Sequence, residues 1–283
     1  MSNVPDGCKA QLSTPFRSVT LIDAHNHLQD PRFGGDLPRV VTEMKSAGIR
    51  HAIVNGTSEA DWSQVLDLYH ADPAFLSPAL GLHPWRIASR SANWAAQLRE
   101  LLEKNPGSSI GECGLDLWMP HADIAQQREI LAVHFSISRE LDKPLTLHCL
   151  KAWNPLLHAL KQSPPLPPFL LHSFSGPADM IPSLVNLGAH FSLSGYFLHP
   201  RKTRALDSFR FIPLDRIHVE SDAPDMAPPI EHQGNYHRDG YHHPADIPAC
   251  IEALARIHQL TWEECAHVIS ANTARLFSIP DCP

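Results

Sequence analysis

Short apolar segments of strand length alternate with longer amphipathic segments along nearly the whole chain, and this alternation limits the fold more than any other feature. Strand candidates fall at Val19–Asp23, Ile49–Val54, Phe75–Leu80, Ser109–Gly111, Leu145–Leu147, Phe169–Leu171, Ala189–Leu193 and Ile217–Val219. Helical spacing of apolar residues marks Leu37–Ala47, Trp62–Tyr69, Trp94–Lys104, Ile124–Leu141, Ala152–Leu160, Met180–Leu187 and Thr203–Phe209, then Ile247–Ile257 and Thr261–Phe277. Right-handed crossovers make consecutive strands of such a chain parallel. Eight units in 283 residues fit one closed (β/α)8 TIM barrel, a fold that normally occupies about 250 residues. The expected organisation is a polar N-terminal tail over 1–18, a single barrel over 19–277 and a short C-terminal tail over 278–283. The proline patch Ser163–Pro168 reads as a helix stop before the sixth strand rather than as a ligand for a proline-binding module.

Composition narrows the partners only a little. Twenty-three Lys and Arg against thirty Asp and Glu give a formal charge of -7, which argues against a protein that coats duplex nucleic acid. It does not argue against an enzyme acting on phosphate esters, because bound cations reverse the potential inside a pocket. Cys8, Cys113, Cys149, Cys250, Cys265 and Cys282 lack both CxxC spacing and the density of a disulfide scaffold, as expected of free thiols in a reducing cytoplasm. The first twenty residues have no basic start followed by an apolar run, and no segment approaches the roughly 18 apolar residues of a membrane span. The expectation is a soluble cytoplasmic protein without a membrane segment.

Chemistry concentrates where strands end. Asp23-Ala24-His25-Asn26-His27 closes the first strand, and alternation puts His25 and His27 on one side, where two imidazoles can grip one cation, with Asp23 on that side as a hydrogen-bond acceptor. Taken alone, the pentapeptide reads equally well as a hydrogen-bonded polar cluster. Glu112, His148, His172 and Asp222 follow the fourth, fifth, sixth and eighth strands, and the carboxyl ends of parallel barrel strands share one face. Individually, each is an ordinary turn acceptor or core histidine. Together, five polar strand ends at one mouth have a common explanation in a metal site that activates water, with Glu112 able to bridge cations and Asp222 able to bind one or to orient water.

The sequence resembles the TatD-related family of metal-dependent hydrolases, in the amidohydrolase-like group of barrels. The resemblance is carried by Asp23-Ala24-His25-Asn26-His27, Gly81-Leu82-His83-Pro84, Gly111-Glu112-Cys113-Gly114-Leu115-Asp116, His148, His172-Ser173-Phe174-Ser175-Gly176, Glu220-Ser221-Asp222-Ala223-Pro224 and Asn272-Thr273-Ala274-Arg275-Leu276-Phe277, in the family's order. It implies metal-ligand roles for His25, His27, Glu112, His148, His172 and Asp222, catalytic roles for Glu112 and Asp222, and a deoxyribonuclease activity. Glu220-Ser221-Asp222 stands where the family usually has Glu-Thr-Asp, and the arginine often found two residues after the histidine of the fifth strand is missing after His148.

Around this set, His83 is a candidate substrate-facing histidine, Trp85 a candidate stacking surface or barrel cover, and Ser173 a candidate hydroxyl supporting the ligands. Lys151, with Trp153, Arg201, Lys202 and Arg204, could form a phosphate-facing rim, although a solvated helix surface accounts for each of them singly. Cys113 and Cys149 read as packing groups. The polar run from Pro224 to Pro244, rich in histidine, occupies the position of an active-site lid. No GxGxxG or Gly-x-Ser-x-Gly segment supports a dinucleotide site or a serine nucleophile.

The expected function is metal-dependent phosphodiester hydrolysis at a DNA end, single-stranded or frayed, with two divalent cations: magnesium or manganese to suit phosphate and carboxylate oxygens, or zinc to suit imidazoles. Two alternatives share the same residues: a metal-dependent amidase, lactonase or small-ester hydrolase acting on a carbonyl substrate, and a non-catalytic protein that uses the metal as a staple.

Overall fold

The computed structural model describes residues 20–234, 236 and 240–280. Val19, the tail over 1–18 with Cys8, residues 281–283 with Cys282, and Asn235, His237, Arg238 and Asp239 of the polar run lie outside the described residues. Eight strands form one sheet in sequence order: β1 (Leu21–Asn26), β2 (Ile49–Asn55), β3 (Leu76–Leu80), β4 (Ser109–Asp116), β5 (Leu145–Leu150), β6 (Phe169–Leu171), β7 (Ala189–Ser194) and β8 (Ile217–Glu220). Every neighbouring pair from β1–β2 to β7–β8 is parallel. At the ends of β1 and β8 the ring is joined by Asp222 N donating to His25 O at 2.9 Å and His27 N donating to Ala223 O at 2.8 Å. The architecture is the single (β/α)8 barrel that the alternation predicts.

Helices cover the outside: α1 (Leu37–Ser46), α2 (Trp62–Ala71), α3 (Trp94–Lys104), α4 (Ile124–Leu141), α5 (Trp153–Gln162), α6 (Ile181–Asn186), α7 (Thr203–Ser208), α8 (Pro248–His258) and α9 (Trp262–Leu276). Their limits follow local chemistry. Asp123 caps α4 by accepting from Gln126 N, and Asp142 ends it in a left-handed conformation. Thr261 and Glu264 form a reciprocal capping box at the start of α9. α5 stops immediately before Ser163 and the prolines behind it, as the proline patch predicts.

Two apolar cores result. The larger lies between strands and helices, where Val54, Leu80, Leu147 and Phe191 meet Trp62, Leu98, Phe135 and Leu254. The smaller joins Ile22 and Ala24 of β1, Ile53 of β2 and Ala79 of β3 to Leu170 of β6, a strand that can reach the other three only through the interior of the ring, and to Leu276, Phe277 and Ile279 at the end of α9. The end of α9 therefore packs against the barrel's inner lining, while the polar residues of the strand ends gather elsewhere.

Two differences from the sequence reading bear on the site. β4 runs on to Asp116 instead of ending at Gly111, and β1 continues to Asn26. The register shifts between Asp23 and Asn26 of β1 and between Ile110 and Cys113 of β4, but pairing resumes beyond, where Cys113, Gly114, Leu115 and Asp116 match Leu147, His148, Cys149 and Leu150 of β5. Gly114 makes this possible: its φ is +151°, and a Cβ there would lie 2.0 Å from His148 O. Cys113, Cys149, Cys250 and Cys265 are buried free thiols. Among the described residues no helix is long and apolar enough to cross a membrane.

Candidate metal centre

At the carboxyl ends of the strands, the structure brings His25, His27, Glu112, His148, His172 and Asp222 together. His25 Nε2 lies 3.2 Å from His27 Nε2, 3.6 Å from Glu112 Oε2 and 3.4 Å from Asp222 Oδ1. His27 Nε2 lies 3.4 Å from Glu112 Oε2 and 3.5 Å from Asp222 Oδ1. Four donors held about 2.1 Å from a tetrahedral cation would be about 3.4 Å from one another, so these separations match the edges of such a site. The other carboxylate oxygen serves a second group. Glu112 Oε1 is 3.0 Å from His148 Nδ1 and 2.8 Å from His172 Nε2, which are themselves 3.2 Å apart.

The remaining hydrogen bonds decide which atoms face inward. Asn55 O can only accept, so His27 Nδ1 donates to it at 2.8 Å and leaves Nε2 as a bare lone pair. Asp116 Oδ2 accepts from His148 Nε2 at 2.8 Å, which leaves His148 Nδ1 bare toward Glu112. Glu220 Oε1 lies 3.6 Å from His172 Nδ1 and accepts from Ser173 N and Oγ at 2.7 and 2.8 Å. A cluster of lone pairs and carboxylate oxygens at these distances repels itself unless positive charge lies between them. The titration preferences show the same demand. Burial opposes protonation of His27 and His172, but Asp222 and Glu112 beside the first, and Glu112 and Glu220 beside the second, hold both well above the usual imidazole range. Burial likewise opposes ionisation of Glu112, yet His172, His83 and His148 hold it well below the usual carboxylate range. Asp222 is lowered against its burial by His25 and His27. Such a donor set suits divalent cations.

Three of these strand ends turn through left-handed residues: Lys151 at φ 58°, Ser173 at 44° and Asp222 at 52°. Such conformations in residues other than glycine cost about 1 kcal/mol or more and recur where a site dictates the backbone. Ser173 Oγ touches Ser194 Oγ at 2.9 Å and Asp222 Oδ2 at 3.5 Å. Lys151 is exposed, on the turn leaving β5. Asp23 is fully buried and accepts from Ser221 N and Oγ at 2.9 and 2.7 Å and from Asn26 Nδ2 at 3.0 Å. It touches neither inward imidazole nitrogen through these bonds, but fastens the end of β1 to the turn that carries Asp222.

His83 stands beside the second group, with Nε2 3.4 Å from Glu112 Oε1. Its Nδ1 accepts from Trp85 N at 3.2 Å, and burial pushes its pKa down to about 4, so the ring is neutral with Nε2 protonated. A cavity of about 630 Å³ opens over these residues, lined by His27, His83, Trp85 and Glu112 together with Arg32 and Asp225. Trp153 is half-buried against Phe174 rather than in this cavity, and Arg201 and Lys202 lie over the Tyr196 ring; none of the three, nor Arg204, lines it. From the polar run Pro224–Pro244, His242 and His243 are buried, with His243 Nε2 2.9 Å from Glu43.

Sequence reasoning missed two carboxylates. Asp116 orients His148 by a hydrogen bond, and Glu220 stands 3.6 Å from His172 while holding Ser173 and Ser192; each sits in a quoted motif without a role of its own. The available signal was alternation: Glu112, Gly114 and Asp116 share one face of β4, and Glu220 lies two residues before Asp222.

The TatD related DNase family profile matches residues 22–278. Among curated proteins, the chain is similar to the 3'-5' ssDNA/RNA exonuclease TatD of Edwardsiella piscicida, 29% identical over 262 residues, covering 92% of this chain and 100% of the other. It is also 29% identical to the uncharacterized metal-dependent hydrolase YjjV of Escherichia coli K12, covering 92% of this chain and 98% of that one. The crystal structure of YjjV superimposes with a TM-score of 0.84 over 92% of this chain and 98% of that chain. A TatD family hydrolase from Entamoeba histolytica, 20% identical with a TM-score of 0.81 over 92% of this chain and 98% of its own, shares the fold. A profile match that runs from β1 to the end of α9, over a barrel whose strand ends carry this donor set, places the chain in the TatD related DNase family of metal-dependent hydrolases.

Proposed function

We propose that the chain hydrolyses phosphodiester bonds at the end of a single strand of DNA or RNA, using two divalent cations held in the cluster at the barrel mouth. The observation that carries this reading is the division of Glu112, whose Oε2 faces His25 and His27 while its Oε1 faces His148 and His172. His25, His27, Glu112 and Asp222 would hold one cation; Glu112, His148 and His172 would hold the other. When bound, such a pair polarises the phosphoryl oxygens and acidifies water, with magnesium or manganese suited to the oxygens and zinc to the imidazoles.

The chain's own groups then have separable tasks. Asp222 keeps Oδ1 with the two histidines, while Oδ2, which among the described residues has the Ser173 hydroxyl at 3.5 Å, would take the proton of the attacking water. His83, neutral and protonated on Nε2, is placed to donate to a phosphoryl oxygen beside Glu112. Asp116 keeps His148 in the required orientation, and Glu220 fixes the Ser173 turn that follows His172. The substrate class is supported by the relatives named as 3'-5' ssDNA/RNA exonucleases.

The test is a metal-resolved rate panel. Protein stripped with chelator and reloaded separately with magnesium, manganese or zinc is offered single strands labelled at either end, duplex DNA and a set of small esters and lactones. Metal-dependent shortening of 5′-labelled single strands from the 3′ end is expected. Turnover confined to carbonyl substrates, or none with any metal, contradicts the proposal.

A further inference from the structure

Two large indole rings stand in water on the rim of the candidate metal centre. Trp85 follows β3 and is 47% exposed; Trp118 follows β4 and is 54% exposed. Their ring centroids are 6.0 Å apart at an interplanar angle of 30°. Leu117 and Met119 beside Trp118 are exposed as well, so an apolar aromatic surface stands at the mouth.

The backbone at both tryptophans is fastened to the site's own side chains. Trp85 N donates to His83 Nδ1 at 3.2 Å, and its ring meets the His83 ring edge to face at 5.1 Å. Trp118 N donates to Asp116 Oδ1 at 2.6 Å, while Oδ2 of the same carboxylate holds His148. His83, beside Glu112, and Asp116, which holds His148, therefore anchor the two loops that carry the indoles; Trp85 lines the cavity that Glu112 and His27 share, and Trp118 stands beside it.

We infer that Trp85 and Trp118 form a stacking subsite for an unpaired base next to the bond being cut. This rests on the phosphodiesterase reading above. Away from the phosphate that the two cations would hold, side-chain Coulomb attraction for the rest of the strand is weak here. The chain carries a net charge of -7, and of the two arginines lining the cavity, Arg32 already pairs with Asp30 at 2.9 Å and Asp225 at 2.7 Å. Flat, uncharged indole faces accept any base, because every base has a π-face, and they select unpaired ends, because a duplex keeps its bases covered. The subsite thus accounts for single-strand preference without reading sequence.

The test compares a single strand with the same strand whose three nucleotides at the cleaved end are abasic. For the wild-type, metal-loaded protein, kcat/KM should be roughly tenfold higher on the base-bearing strand, the scale of one base–aromatic stack. In Trp118→Ala and in Trp85→Ala that ratio should collapse toward one, chiefly through KM, and Trp118→Phe should restore most of it. Fluorescence anisotropy of the labelled strands with the Asp222→Asn protein reads binding without turnover and should give the same preference, lost again when Trp118→Ala is added. Equal losses on both strands, or an unchanged ratio in both alanine variants, overturn the subsite while leaving the phosphodiesterase reading intact. Cleavage of neither strand together with turnover of carbonyl esters sinks that reading instead, and absence of a base preference in anisotropy then sinks the subsite too. Concentration-dependent self-association that both alanine variants abolish, with no base preference, would assign the surface to a second copy of the chain and reject the inference.

Discussion

Asp116 accepts a hydrogen bond from His148 Nε2 at 2.8 Å, and that bond turns His148 Nδ1 toward Glu112 Oε1, 3.0 Å away. The orientation of an imidazole in the candidate centre is therefore set by a carboxylate one step further out. Replacing Asp116 with Ala frees the ring and permits the wrong tautomer. Cation affinity at the Glu112–His148–His172 group is expected to fall about 10- to 100-fold, while the group around His25 and His27 changes little. Calorimetric titration of manganese into apoprotein reads both; two equal losses, or none, would contradict the assignment.

Glu112→Gln removes the charge that both groups share and should abolish paired occupancy, so that metal analysis finds at most one tight cation per chain. Rates on single-stranded DNA should fall by about a hundredfold or more, the scale of losing one element of charge stabilisation. An unchanged two-site titration would reject bridging.

Gly114→Ala should destabilise the barrel itself. The added Cβ meets His148 O at 2.0 Å across the β4–β5 pairing, at a φ of +151°. A cost of about 3 kcal/mol or more in urea unfolding is expected, since neither strand can move aside without disturbing its neighbours. A loss within about 0.5 kcal/mol would mean that the strands separate more easily than their pairing implies.

Stability should decline on mild acidification for a reason unrelated to metal. His134 is buried, donates from Nδ1 toward Ile130 O at 2.9 Å and accepts from Leu82 N at 3.2 Å. Burial pushes its pKa from 6.5 down to about 4. The unfolded chain therefore takes up a proton below pH 6.5 that the folded chain refuses until about pH 4, and stability drops as pH falls through that interval, by about 1.4 kcal/mol per pH unit for one such group. His190, also lowered to about 4 and mainly by burial, adds in the same direction. Urea midpoints measured on chelator-treated protein at pH 7 and pH 5 check the sign, and His134→Gln should flatten the slope.

The barrel was legible because its signal repeats. Eight apolar runs such as Ile49–Val54 and Ala189–Leu193 recur at a spacing that only a few folds use, and an error in one end, such as that of β4 at Asp116 rather than Gly111, changes nothing global. The inward set was legible for a similar reason, since parallel strands carry their final residues to one face whatever the details between them. Asp116 and Glu220 were harder to see. Their importance lies in hydrogen bonds to His148 and Ser173, which depend on how far β4 continues past Gly111 and on the turn at Ser173. Trp118 was invisible as a partner of Trp85 because the contact joins two loops separated by the whole of α3.

The central claim is that six side chains from five strand ends hold two cations with Glu112 between them. Anomalous diffraction from manganese-loaded crystals tests it most directly. Two peaks are expected, one enclosed by His25, His27, Glu112 and Asp222 and the other by Glu112, His148 and His172. A single peak that Glu112 does not touch, or peaks only at other carboxylates on the surface, would contradict it.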